Sequence, residues 1–146
     1  MNLQQLDDKL QAVKDKVISV EKTTGKRIYL TCESEKAFDI CKFLYEDLGC
    51  RFVIATGIDS DNYFEILYHF AYDELGCVIT VKSLVRDKKN ASVDSLAQFL
   101  PAAEWIEREV HDVLGIEFRG HPDMRRLILA DDWPEGVYPL RKERKK

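Results

Sequence analysis

A chain of 146 residues with 45% hydrophobic and 33% charged residues is long enough to bury its own core as one domain. Its net charge is −4, but the last six residues, Arg141 to Lys146, hold five positive charges and one negative, leaving a body of 17 basic against 25 acidic residues. An acidic body weighs against nucleic-acid binding, which needs a basic footprint, and no apolar run approaches the roughly 18 residues that span a bilayer.

Leu3, Leu6, Leu10, Val13 and Val17 recur at steps of three and four, which predicts an amphipathic helix over 1–24 closed by Gly25. Arg27 to Cys32 is β-rich and short and reads as a strand. Ser34 then fits an N-cap, and Phe38, Cys41, Tyr45 and Leu48 line one face of a second helix that stops at Gly49. Arg51–Ile58, Tyr63–Tyr72 and Cys77–Arg86 read as three strands joined by the turn-rich Asp59-Ser60-Asp61-Asn62 and Asp73-Glu74-Leu75-Gly76. Turns that short imply antiparallel neighbours. Residues 93–100 are apolar enough to be ordered but too short to assign. Pro101 suits the first turn of a third helix, which runs to Leu114 and stops at Gly115.

The fold class expected from this order is α+β: a four-stranded antiparallel or mixed sheet with helices packed on one side, plus an irregular C-terminal segment. Residues 1–100 form the core, and 101–146 form a helix and an extended partner-binding segment of the same single domain. No internal repeat is present. From Ile116 onward Gly120, Pro122, Pro134, Gly136 and Pro139 rule out a long regular element. Yet Ile116, Phe118, Met124, Leu127, Ile128, Leu129, Trp133, Val137, Tyr138 and Leu140 make the stretch apolar. Such a segment either wraps its own domain or is covered by another protein.

Few residues suggest catalysis. Cys32, Cys41, Cys50 and Cys77 show no CxxC spacing and fit small buried apolar roles, and with no signal peptide ahead of them a reducing cytoplasm is the simplest compartment. The seven glycines form no phosphate loop. His69 falls in a strand. His111 and His121, with Asp112 or Asp123, match no standard metal spacing. Glu107, Glu109 and Asp112 could do acid–base work, but with Arg108 among them a salt-bridged network is the plainer reading. Glu104 and Arg108, and Arg108 and Asp112, are spaced to pair on a helix. Glu109 and Asp112 would repel unless Arg125 or Arg126 came between them. The expectation is therefore that loop 119–128, with Arg119, His121, Asp123, Arg125 and Arg126, folds back on the third helix through Arg–carboxylate pairs. Those charges could also simply be solvated, and the basic tail could be a solvated terminus.

Two runs carry a resemblance. Glu107-Arg108-Glu109-Val110-His111-Asp112-Val113-Leu114-Gly115-Ile116 is followed by Gly120-His121-Pro122-Asp123-Met124-Arg125-Arg126-Leu127. Together with the lead-in Pro101-Ala102-Ala103-Glu104-Trp105 and the closing Asp132-Trp133-Pro134-Glu135-Gly136 and Tyr138-Pro139-Leu140-Arg141-Lys142, they resemble the 30 kDa subunit family of respiratory complex I, the NADH-quinone oxidoreductase. His111 stands where that family usually has Tyr, and Leu114 where it often has Phe. The chain's end soon after Lys142 looks more like the short homologues in energy-converting nickel–iron hydrogenases.

The resemblance implies a cofactor-free peripheral-arm subunit of a membrane-bound, redox-driven ion-pumping complex. It implies that iron–sulfur clusters and the nickel–iron or quinone site lie in partner subunits. It implies packing against the hydrogenase-like large subunit near the iron–sulfur small subunit, with membrane association on the cytoplasmic face indirect, through the complex. The residues it would use for holding the segment's shape or meeting the partner are Glu107, Arg108, Glu109, Asp112, His121, Pro122, Asp123, Arg125, Arg126, Trp133 and Arg141. Alternatives are a free-standing adaptor or assembly factor for such a large subunit, or an independent enzyme built on the carboxylate cluster.

Overall fold

A computed structural model describes residues 2–142. Asn2 opens the first helix, α1 (Leu3–Leu10), with a capping box: its side chain accepts from the Gln5 amide and the Gln5 side chain accepts from the Asn2 amide. The expected long helix over 1–24 does not form. A 3-10 stretch (Gln11–Lys16) follows, then β1 (Ser19–Lys22). The β-branched Ile18 and Val20 favour an extended chain, and the Ile18 amide donates to Thr31 O at 2.7 Å. Gly25 accordingly sits in a hairpin turn rather than at a helix end, with the Arg27 amide bonded to Thr24 O at 2.8 Å.

Next come β2 (Arg27–Glu33) and α2 (Ser34–Lys42), which ends in a π turn (Phe43–Asp47), with Gly49 beyond it in the left-handed region at φ 74°. Ser34 is the first helical residue and not the cap; Glu33 holds the cap position without a side-chain bond. The strands β3 (Arg51–Asp59), β4 (Phe64–Tyr72) and β5 (Cys77–Val85) form antiparallel neighbours, as the short turns require. β2 joins β5 in parallel, because the chain crosses over through α2 before reaching β3.

The sheet has five strands in the order β1-β2-β5-β4-β3, one more than expected, since β1 lies within what reads as the first helix. A separate pair, β6 (Ser92–Asp94) and β7 (Glu117–Arg119), lies parallel. β6 falls at the start of the unassigned stretch 93–100, which continues as a 3-10 turn over Leu96–Gln98.

Alternation sets the layers. Phe64, Ile66, Tyr68 and Phe70 on β4 are all buried on one face, level with Ile79 and Val81 on β5 and Ile28 and Leu30 on β2. Leu6, Leu10 and Val13, Ile40, Cys41 and Leu44, and Val110 and Leu114 close over that face in one cluster. The helices thus pack on one side. The four cysteines are buried thiols, and burial pushes Cys32 and Cys50 up to about 12. They serve the core as small apolar groups.

Candidate partner-binding site

The third helix, α3 (Glu104–Leu114), follows a 3-10 turn begun by Pro101 and ends at Gly115. It packs on β3 at a glycine. A Cβ on Gly57 would stand 2.7 Å from Leu114 Cδ1 and 3.1 Å from Val110 Cγ1, so the helix approaches the strand backbone directly. Between α3 and residue 142 the chain carries no long element, yet it returns to the helix and stays there.

Three groups on α3 organise what surrounds it. Glu107 is buried and faces the core side. Its carboxylate accepts from Ser95 Oγ at 2.6 Å, the Leu96 amide at 3.0 Å and the Ala97 amide at 3.3 Å. It therefore serves the unpaired amides of a neighbouring 3-10 turn. Burial raises the Glu107 carboxyl above the ordinary Glu range, against the pull of those three donors. Asp112, also buried, accepts the amides of Leu127, Ile128 and Leu129 on one oxygen, Oδ2, at 2.9, 3.0 and 3.3 Å. Burial alone would raise that carboxyl, but the three amides outweigh it and hold it below the usual Asp value. Arg108 spans the same loop with its fork: Nε donates to Arg125 O and Nη2 to Arg126 O, each at 2.8 Å.

Loop 119–128 does fold back on α3, but not through the expected bonds. Arg108 pairs with neither Glu104 nor Asp112, and neither Arg125 nor Arg126 sits between Glu109 and Asp112. Arg125 closes on Asp123, two residues away, at 2.6 Å, and Arg126 reaches Glu135 at 3.2 Å and the carbonyls of Ala130 and Asp131. The reason is local. An irregular chain leaves a row of unpaired amides and carbonyls, and a buried Asp and an Arg fork satisfy them better than a side chain–side chain pair would. Arg119 meets Asp94 across the small parallel pair. Among the described residues the Glu109 side chain makes no hydrogen bond or ion pair.

His121 ties the start of the segment to the helix. Its Nε2 lies 2.8 Å from Glu104 O, and its Nδ1 accepts from the Asp123 amide at 3.0 Å. That bond requires Nδ1 to be unprotonated, so Nε2 carries the proton. Pro122 is exposed between them. Trp133 Nε1 donates to Val137 O at 2.7 Å and closes a second turn.

The segment ends in a latch on the C-terminus of α3. The Leu140 amide donates to Val113 O at 3.0 Å, and Arg141 Nε donates to Leu114 O at 2.6 Å. Carbonyls that the helix leaves unpaired are thereby bonded. The Arg141 guanidinium lies over the rings of Tyr138 at 4.8 Å and Phe64 at 5.1 Å. The Lys142 amide reaches Asp59 Oδ2 at 2.7 Å, and Lys88 Nζ pairs with the other oxygen of Asp59. Tyr138 packs so closely on Gly115, at φ 73°, that a Cβ there would lie 2.4 Å from the ring. Nothing in residue spacing points to the roles of Ser95, Tyr138 and Asp59. A glycine ending a helix is the one available signal for Tyr138.

Four apolar side chains of this clasp, residues 119–142, point outward. Ile128 is 51% exposed and Leu140 58%, with Leu127 and Val137 close behind and Trp105 barer still. His111, Met124, Trp133 and Tyr138 line a cavity of about 170 Å³ under the clasp. No group of three or more His, Cys, Asp or Glu side chains able to hold a metal occurs among the described residues, and no helix there is long and apolar enough to cross a membrane.

The family model described as respiratory-chain NADH dehydrogenase, 30 Kd subunit, matches residues 30–146, which take in the sheet from within β2 onward, α3 and the clasp. The chain belongs to this family. The C subunit of NADH-quinone oxidoreductase from Rhodopseudomonas palustris (strain BisB18) is 30% identical over 97% of this chain and 72% of its own length. That of Rhodobacter capsulatus is 36% identical over 87% and 64%. Component G of hydrogenase-4 from Escherichia coli (strain K12) is 33% identical over 87% of this chain but only 23% of its own length. Among solved structures, a chain of the membrane-bound sulfane sulfur reductase, an archaeal respiratory membrane complex, superposes with a TM-score of 0.82 at 26% identity. It covers 94% of this chain and 82% of its own. A trypsin-resistant fragment of Nqo5, 22% identical with a TM-score of 0.65, shares the fold over 84% of this chain and 99% of the fragment. Arg108, Asp112, His121 and Arg141 of this 30 Kd family member are thus the residues that fasten the clasp, while Glu107 holds the turn at 95–97.

Proposed function

We propose that this chain is a cofactor-free peripheral subunit of a membrane-bound, redox-driven ion-pumping complex. In this reading it binds and stabilises the hydrogenase-like large subunit beside the iron–sulfur small subunit on the cytoplasmic face. The observation that carries this is the form of the clasp. Its backbone is fastened to α3 by polar bonds, while Leu127, Ile128, Val137 and Leu140 stay in solvent. Folding fixes the shape of this surface without burying it, which suits a preformed partner surface. Relatives named for both a quinone reductase and a hydrogenase support a role common to the two kinds of complex. Held this way, Arg125, Asp123 and Pro122 lie at the partner-facing rim, and Glu107, Arg108, Asp112, His121, Trp133 and Arg141 hold the surface in shape.

The test is capture from detergent-solubilised membranes through a tag on this chain, with the recovered proteins identified by mass spectrometry. The expected result is a stoichiometric hydrogenase-like large subunit, with the iron–sulfur small subunit and membrane subunits beside it. Leu140→Asp should lower that recovery about tenfold by placing a charge in the covered face. Recovery of the large subunit alone, with no iron–sulfur or membrane subunit, marks an assembly factor instead. Recovery of none of them refutes the reading.

A further inference from the structure

The cavity under the clasp has α3 on one side and residues 124–138 on the other. Its walls carry three charged side chains. Arg126 and Glu135 answer each other at 3.2 Å, and the Arg126 fork also bonds the carbonyls of Ala130 and Asp131. Asp112 has amides as its partners but meets no cation among the described residues.

Two acceptors of α3 are left over in these walls. All three clasp amides bond Asp112 Oδ2, and no described residue donates to Oδ1, although Asp112 is only 3% exposed. The second acceptor belongs to His111, whose Nδ1 lies 2.9 Å from Ile116 O. A carbonyl only accepts, so Nδ1 carries the proton and Nε2 of the neutral ring is an acceptor. No described residue donates to that nitrogen either. Both residues line the cavity, whose volume of about 170 Å³ leaves room for more than a single water. A buried carboxylate oxygen is costly without a donor, and here the donor has to come from the cavity.

We infer that this cavity is a binding site for a guanidinium or primary ammonium group, whose N–H donors meet Asp112 Oδ1 and His111 Nε2 and whose charge offsets that of Asp112. A charged donor on a carboxylate makes the stronger kind of hydrogen bond. The rings of Trp133 and Tyr138 suit the same guest, because an aromatic face attracts a cation. Tyr138 already has the Arg141 guanidinium over it at 4.8 Å. An anionic guest would meet the Asp112 charge and two acceptors, and is refused. The walls all come from this chain, so the inference stands apart from the function proposed above.

Titration of the full chain with ethylguanidinium chloride tests this, followed through the indole N–H signals in a nitrogen-15 NMR spectrum. N-ethylurea serves as the uncharged isostere and sodium chloride as the salt control. The Trp133 signal is expected to shift saturably with a Kd of about 1 mM, while that of Trp105, outside the cavity, stays in place. N-ethylurea should bind at least about tenfold more weakly. His111→Phe keeps a ring but removes the acceptor, and should weaken binding about tenfold. If that variant does not fold, Asp112→Asn decides in its place. It keeps an oxygen for the clasp amides, turns the spare atom into a donor and should abolish binding. No saturable Trp133 shift, equal affinity for N-ethylurea, or wild-type affinity in the variant that decides overturns the inference. Saturation transfer to the same probe, on material captured from membranes through this chain, then tells the source of the guest. Loss of the response there shows that an Arg or Lys of a neighbour fills the cavity, and a retained response assigns the site to a free amine or guanidine. Either result upholds the site.

Discussion

Asp112 shows what one side chain can do for an irregular segment. A single carboxylate oxygen collects three consecutive amides from residues that no helix or sheet would otherwise pair. Replacing it with Ala leaves those amides without acceptors and should cost about 1–3 kcal/mol, read as a lower urea midpoint and faster amide exchange over 121–142. The pH dependence follows from the direction of the shift. Folding lowers the Asp112 pKa, so its contribution is present above the unfolded value of about 3.9 and is lost as pH falls through the lower folded value. Glu107 has the opposite sign. Its folded pKa is raised, so stability is gained as pH falls through that value. The stability gap between wild type and Asp112→Ala should therefore be full at neutral pH and shrink below the ordinary Asp range. A gap unchanged down to about pH 2.5 would show that the Asp112 charge is not what holds the loop.

At the level of elements, α3 and the clasp are joined through Gly115. Its φ of 73° and the Tyr138 ring 2.4 Å from a would-be Cβ both oppose a side chain. Gly115→Ala should displace Tyr138 and Arg141 and raise protease cleavage within 130–142, while the far-ultraviolet circular dichroism of the sheet stays native. Cleavage no faster than wild type would mean that the latch does not depend on that contact.

The sheet and helices are largely legible in the sequence because period-two and period-3.6 patterns report burial. Phe64, Ile66, Tyr68 and Phe70 mark β4, and Gly115 marks the end of α3. β1 is not legible. Its four residues are exposed, so no alternation marks it, and Val17 extends the helical spacing by coincidence. The return of the loop can be read from its charges, but its bonds cannot. Spacing shows which charged groups can meet one another, whereas Arg108 and Asp112 meet backbone, which sequence leaves unmarked.

Across the whole molecule, one face of the sheet and one side of α3 form a self-sufficient core, with Phe70, Ile79 and Leu44 fully buried. The opposite side of α3 and the clasp hold their shape by polar bonds and leave Trp105, Leu127, Ile128, Val137 and Leu140 in solvent. The two parts should separate on mutation. Phe70→Ala, costing about 3–5 kcal/mol, should unfold the chain and lower its abundance. Asp112→Ala or Arg108→Ala should leave the core folded, at a cost of about 1–3 kcal/mol, and act chiefly by lowering its incorporation into a complex. A melting curve and a membrane-incorporation assay on the same variants check this.

The most direct measurement is an electron cryomicroscopy map of the assembly isolated through this chain. In that map Leu127, Ile128 and Leu140 should lie under a hydrogenase-like large subunit, and the clasp should keep the Asp112 and Arg108 bonds described above. A map in which that face is open to solvent, with the chain attached elsewhere, would contradict the docking of the clasp.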